Sequence, residues 1–230
     1  MGKSLRQLRT AAFFAGIFLI LSAQSAPTAP RDSSAMRHIL VLGDSLSRGF
    51  GLSSGQAYPA LLTQKLRAAH LNFEITNASQ SGGTTAGGLE RLPAHLKRKI
   101  DIFILELGIN DAFRGVLISE VRNNLQAIID MVKARDPNAR IIIAGMQLPN
   151  YVEDAYVFSF GQIYADLAAK NNAVLIPYLL EGVGGNPNLN QPDHVHPNAA
   201  GQKILAENVW KVLEPIAREV ATAETPARVQ

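Results

Sequence analysis

Cysteine is absent from this chain of 230 residues, so no disulfide and no lipid-modified N-terminal cysteine is open to it. A membrane-spanning run is missing too. The apolar stretch Ala11 to Ala23 has 13 residues, against the roughly 20 that a bilayer-spanning helix needs. Surplus charge is small, with 22 Lys and Arg against 19 Asp and Glu. Lys3, Arg6 and Arg9 precede the apolar stretch, and without these three the two signs balance. Binding to a phosphate backbone rests on excess positive charge, so nucleic acid is not expected as a partner. No phosphate-cradling Gly-x-x-x-x-Gly-Lys loop and no dinucleotide glycine fingerprint occurs.

The N-terminal features belong together. A basic start, a short apolar stretch and the small residues Ala23-Gln24-Ser25 predict an export signal over residues 1–26. Pro27 argues against cleavage directly after Ala26, and an uncleaved anchor is the competing reading. Residues 27–36 are expected to form a flexible linker, 37–220 one domain and 221–230 a flexible tail. A periplasmic or secreted protein with no stable membrane span after cleavage is the expectation.

Within the domain, short apolar runs alternate with helical patterns. Strands are predicted at 38–43, 72–77, 101–107, 140–146 and 173–176, and helices at 56–70, 85–96, 118–135, 157–170 and 198–219. Ile102 to Leu105 and Ile141 to Ala144 are continuously apolar, as in strands buried on both faces. Val121, Leu125, Ile128, Ile129 and Val132 recur at helical spacing, and Pro197 suits a first helical turn. The alternation predicts an α/β fold with a parallel sheet and helices on both sides. Ligands of such sheets bind beyond the carboxyl ends of the strands. Ser45, Ser81-Gly82-Gly83 and Gly108-Ile109-Asn110-Asp111 all fall at those ends.

Three residue types there suit acyl transfer. Ser45 is the candidate nucleophile, needing a base to take its proton. His196 is the candidate base, and Asp193, three residues earlier, would hold its tautomer. Ser45 N–H, Gly82 N–H and the Asn110 amide are candidate donors to an oxyanion. Each has a plainer reading: Ser45 as a cap, the glycines as a flexible turn, Asn110 as a turn residue. Ser47 fits a cap or turn better than Ser45 does. His194 competes with His196 as base. A metal reading of Asp193, His194 and His196 lacks further distant ligands, and no metal or cofactor is expected. No Gly-x-Ser-x-Gly elbow surrounds Ser45, which argues against a common α/β-hydrolase.

Four segments carry a family resemblance: Gly43-Asp44-Ser45-Leu46-Ser47, Asn77-Ala78-Ser79-Gln80-Ser81-Gly82, Glu106-Leu107-Gly108-Ile109-Asn110-Asp111 and Asp193-His194-Val195-His196-Pro197. They resemble the four blocks of the GDSL or SGNH hydrolases, over about Arg37 to Ile216. The acyl-CoA thioesterase I / lysophospholipase / arylesterase branch looks most similar, through Arg91-Leu92-Pro93-Ala94 and Met146-Gln147-Leu148-Pro149-Asn150-Tyr151. The resemblance implies a three-layer α/β/α sandwich with a five-stranded parallel sheet, flavodoxin-like. It implies metal-independent hydrolysis of small acyl esters, thioesters or lipids, with Ser45, Asp193 and His196 catalytic and Ser45, Gly82 and Asn110 in the oxyanion hole. In the best-known relative the loop matching 111–117 touches the acyl chain, which implies Phe113 and Leu117 as substrate-binding. Gly83 and Ile109 depart from that relative, so no chain-length preference carries over. Tyr151 is a further substrate-binding candidate. With Tyr156, Phe158 and Phe160 it could wall an acyl group or face the core. Competing functions are a carbohydrate acetylesterase and a non-catalytic lipid- or glycan-binding protein.

Overall fold

The structure is a computed structural model that describes residues 36–148 and 155–223. The expected export signal, all of the expected linker but Met36, most of the expected tail, and Tyr151 lie outside the described residues.

Five strands form one parallel sheet: β1 (Arg37–Gly43), β2 (Phe73–Asn77), β3 (Ile102–Glu106), β4 (Arg140–Ala144) and β5 (Val174–Ile176). Their spatial order is β2-β1-β3-β4-β5. The apolar runs occupy the three central strands. Ile39 to Leu42, Ile102 to Leu105 and Ile141 to Ala144 are buried throughout. Each Val, Leu, Ile or Phe side chain among them contributes about 1.5–3 kcal/mol on withdrawal from water. The edges are short or partly polar, which limits pairing with other chains.

The longer helices are α2 (Tyr58–Ala68), α3 (Thr85–Arg91), α5 (Ile118–Arg135), α6 (Ala155–Asn171) and α7 (Ala199–Thr222). Helix α2 packs with α7, while α5 packs with both α3 and α6, giving a helical layer on either side of the sheet. The α/β/α sandwich is therefore present as expected. Helix α5 buries Val121, Leu125, Ile128, Ile129 and Val132, the stripe its spacing predicts. Among the described residues no helix is long and apolar enough to cross a membrane.

Two short helices lie outside the predicted helix ranges, α1 (Ser45–Arg48) and α4 (Ile109–Phe113). Each turns the chain directly after a central strand and is too short to carry a periodic apolar signal. The helix predicted over 85–96 is divided. Pro93 lacks an N–H, and Leu92–His95 form a 3₁₀ turn after α3. Pro197 precedes α7 rather than sitting in its first turn. Asn198 is the N-cap, its side chain accepting from Ala200 N–H and Gly201 N–H.

The strand order reverses between β1, which is followed by a crossover to the outer β2, and β3 on its other side. Such a switch point leaves a crevice beyond the strand ends. Helices α1 and α4, with Ser45 and Asn110, begin on the two sides of that point.

Candidate active site

Ser45 is the first residue of α1. Asp44 caps that helix through Oδ1, which accepts from Leu46 N–H at 2.9 Å. The chain leaves α1 at Gly49, whose φ of 72° is left-handed and suits glycine. The turn is thereby held tightly, and Ser45 is nearly buried at 7 % exposure. Its N–H stands at a helix start, where backbone donors have no intrahelical acceptor.

His196 lies in the loop before α7. Its Nε2 is 2.9 Å from Ser45 Oγ, and its Nδ1 is 2.7 Å from Asp193 Oδ2. The other Asp193 oxygen accepts from Val195 N–H at 3.0 Å and His196 N–H at 2.9 Å. These bonds, led by the one from His196 N–H, hold the Asp193 carboxyl down at about 2. An ionised Asp193 requires the proton on Nδ1, which leaves the Nε2 lone pair to accept from Ser45 Oγ–H. A hydroxyl, an imidazole and a carboxylate are thus joined in series. Both imidazole nitrogens are engaged, so the metal reading of this segment finds no free ligand on His196. His194 lines the same cleft, with its backbone at φ 60°, and no hydrogen bond joins its ring to Ser45.

Sequence reading overlooked two residues around the imidazole. The Phe50 ring lies 4.6 Å from the His196 ring, tilted by 39°. Gln191 Nε2 donates to Phe50 O at 2.6 Å and to Pro197 O at 3.1 Å, tying the loop after α1 to the histidine loop. An isolated Phe and Gln in loops carry no pattern that could have marked them.

Asn110 is the second residue of α4. The preceding Gly108 has φ 127°, and a Cβ there would meet Tyr164 Oη at 2.4 Å, so only glycine fits. Asn110 Nδ2 donates to Asp44 Oδ2 at 3.0 Å and to Gly83 O at 3.1 Å. Both amide hydrogens are therefore used, one on the carboxylate beneath Ser45 and one on the glycine loop. Gly82, at φ 71°, stands beside that loop, and Arg114 Nη2 donates to its carbonyl at 3.1 Å. No bond from Gly82 N–H to the chain occurs among the described residues. Asp111 is buried and accepts from Thr85 N–H at 2.9 Å and Thr85 Oγ at 2.6 Å, locking α4 to the start of α3.

A cleft of about 670 Å³ opens over Ser45, Asn110 and His196. Its apolar wall includes Leu46, Ile109, Phe113, Leu148, Leu180 and Val195, with Tyr178 and the Gly184-Gly185 pair beside them. That volume suits a small acyl or aryl group. Phe113 is thus on the cleft. Leu117 is exposed at the start of α5 and is not among the lining residues. Phe160 is fully buried against Tyr164, Tyr156 donates to Val116 O at 2.8 Å, and Phe158 faces solvent. Ser47, expected as a cap or turn residue, lies within the short turn of α1 and does not cap it; it is buried, with its Oγ 2.5 Å from Glu106 Oε2.

Residues 41–204 match the GDSL-like lipase/acylhydrolase family. Esterase TesA of Pseudomonas aeruginosa is 39 % identical over 199 residues, 86 % of this chain and 98 % of that protein. Thioesterase 1/protease 1/lysophospholipase L1 of Escherichia coli is 37 % identical over 185 residues, 80 % of this chain and 86 % of that protein. A crystal structure of TesA superimposes with a TM-score of 0.74 at 39 % identity, covering 78 % of this chain and 99 % of that one. The match runs from β1 into α7 and includes every strand of the sheet, so this chain belongs to the GDSL-like lipase/acylhydrolase family.

Proposed function

We propose that this protein is an exported serine esterase that hydrolyses carboxylic esters, and thioesters, of short- to medium-chain acyl groups. The observation that carries the reading is the Asp193–His196–Ser45 series opening into an apolar cleft. The names of the relatives support the same class of substrate.

The geometry supports a two-step reaction. Ser45 Oγ attacks the acyl carbonyl carbon while its proton passes to His196 Nε2. Asp193 stabilises the imidazolium that results. Charge on the former carbonyl oxygen is met by Ser45 N–H, Gly82 N–H and Asn110 Nδ2, the last giving up its bond to Gly83 O. The C–O or C–S bond breaks, and His196 returns the proton to the leaving oxygen or sulfur. Water then attacks the acyl-serine by the same route and frees the acid. Phe113 and Tyr151 are the side chains proposed to meet the acyl group, with Leu117 at the outer end of the same loop. Export by residues 1–26 to the periplasm or medium, with 37–220 as the catalytic domain, completes the reading.

The test is initial rates on p-nitrophenyl esters from two to sixteen carbons, for wild type and Ser45→Ala. Serine-dependent hydrolysis peaking at short or medium chains supports the proposal. Near-parental activity in Ser45→Ala, or no hydrolysis at any length, rejects it.

A further inference from the structure

Glu106 ends β3 with its side chain fully buried, beside Gly43 of β1 in the sheet register. One oxygen, Oε2, accepts from Ser47 Oγ at 2.5 Å, Asp44 N–H at 3.1 Å and Ser47 N–H at 3.3 Å. Asp44, also fully buried, accepts from Leu46 N–H on Oδ1 and from Asn110 Nδ2 on Oδ2. The two carboxyls therefore consume the N–H groups of residues 44, 46 and 47. Among the described residues, only the Ser45 N–H of that turn has no acceptor, which leaves it to face a substrate.

Protonation follows from the same inventory. Two adjacent buried carboxyls do not both ionise. The ionisable groups around them are Tyr58 from α2, Arg91 from α3, Tyr164 from α6 and His196 from the loop before α7. Of these only Arg91 is a permanent cation; it donates to Gly43 O at 2.7 Å and Ala78 O at 3.3 Å, and its charge, which acts on Asp44 more than on Glu106, favours an ionised Asp44. Both Asp44 oxygens have donors. Glu106 Oε1 is buried with no hydrogen-bond partner among the described residues, and an unpartnered buried oxygen costs far less on a neutral acid than on a carboxylate.

We propose that Glu106 is held protonated and, as a neutral acid paired with ionised Asp44, is the positioning residue that shapes the nucleophile turn and aims Ser45 N–H and Asn110 at the substrate. Burial first, then the neighbouring Asp44 charge, pushes the Glu106 carboxyl well above its ordinary range. Asp44 is raised by burial to about 6 and ionises first. The idea rests on the esterase reading for its catalytic consequence, though not for its thermodynamic one. A carboxyl with a raised folded-state value contributes stability below its unfolded value and loses it as pH rises.

The experiment compares full-length wild type, Glu106→Gln and Glu106→Leu for kcat and KM on p-nitrophenyl butyrate, and for Tm, between pH 5 and pH 10. Gln copies the neutral acid and keeps its acceptor oxygen. Gln should hold kcat within about threefold of wild type at neutral pH, and Leu should lower it roughly 30-fold or more with KM little changed, since the loss falls on oxyanion alignment. Wild-type Tm should fall more steeply with rising pH than that of Glu106→Gln. Equal kcat losses in Gln and Leu, an unchanged kcat in a folded Leu variant, or parallel Tm profiles for wild type and Gln would each overturn the proposal. Hydrolysis that survives Ser45→Ala defeats the esterase reading instead, and leaves the Tm comparison able to decide the state of Glu106.

Discussion

Replacing Asp193 separates two effects that a buried carboxylate would merge. In its place alanine removes the bond to His196 Nδ1 and both backbone bonds from Val195 and His196. A buried partner carboxylate in such a series is worth about 10⁴-fold in kcat. The Asp193 side chain, however, is 40 % exposed, so solvent screens its attraction for the imidazolium and water can replace part of the lost bonding. The expected loss in Asp193→Ala is therefore smaller, about 10²- to 10³-fold in kcat/KM. Asparagine should be no better and can be worse. Its Oδ1 keeps the two backbone bonds, but its amide donates to Nδ1 and so places the imidazole proton on Nε2. That tautomer has no lone pair for Ser45 Oγ–H. The assay is kcat/KM on p-nitrophenyl butyrate for both variants at one neutral pH, with far-UV circular dichroism to verify folding. Activity of Asp193→Ala within threefold of wild type, or an Asn variant clearly faster than the Ala variant, refutes the reasoning. Acid stability offers a second readout. The Asp193 carboxyl is lowered from 3.8 to about 2, so its contribution is present above pH 4 and lost as pH falls toward 2. Wild-type Tm should drop more than that of Asp193→Ala across that window.

Two further substitutions probe other parts of the site. Asn110→Ala should lower kcat about 10²- to 10³-fold, the scale for loss of one oxyanion donor; an unchanged kcat removes Asn110 from that role. Gly184→Ala would place a Cβ 2.5 Å from Tyr178 Oη, so the tyrosine must swing in the cleft. Rates on octanoyl and longer esters should fall roughly tenfold while acetyl and butyryl esters change little, and a uniform change across chain lengths would show that Tyr178 does not bound the acyl site.

Much of this fold is legible in order along the chain because its central strands are buried on both faces. Continuous apolar runs such as Ile102 to Leu105 have few other places to go. The α5 stripe repeats often enough over 18 residues to define its face. Pairing of Asp193 with His196 is also a local property, since three residues allow one turn to bring carboxylate and imidazole together. By contrast α1 and α4 span four and five residues, too few for a periodic signal, and their directions are set by the strands they follow.

The residues of Gly43 to Ser47, Glu106 to Asp111 and Asp193 to Pro197 are a property of the sequence, and so are the chemical groups they supply. What only the tertiary structure decided is which group serves which. It joined His196, not His194, to Ser45 across 151 positions. It turned Ser47 inward to Glu106 and spent both Asn110 hydrogens on Asp44 and Gly83. It brought Phe50 over the imidazole and built a cleft wall from Leu148, Tyr178 and Gly184. Sequence periodicity reports burial, which depends on spacing along one element. Hydrogen-bond partnership and cavity shape depend on where separate strand ends meet, and the strand order of the sheet alone determines that.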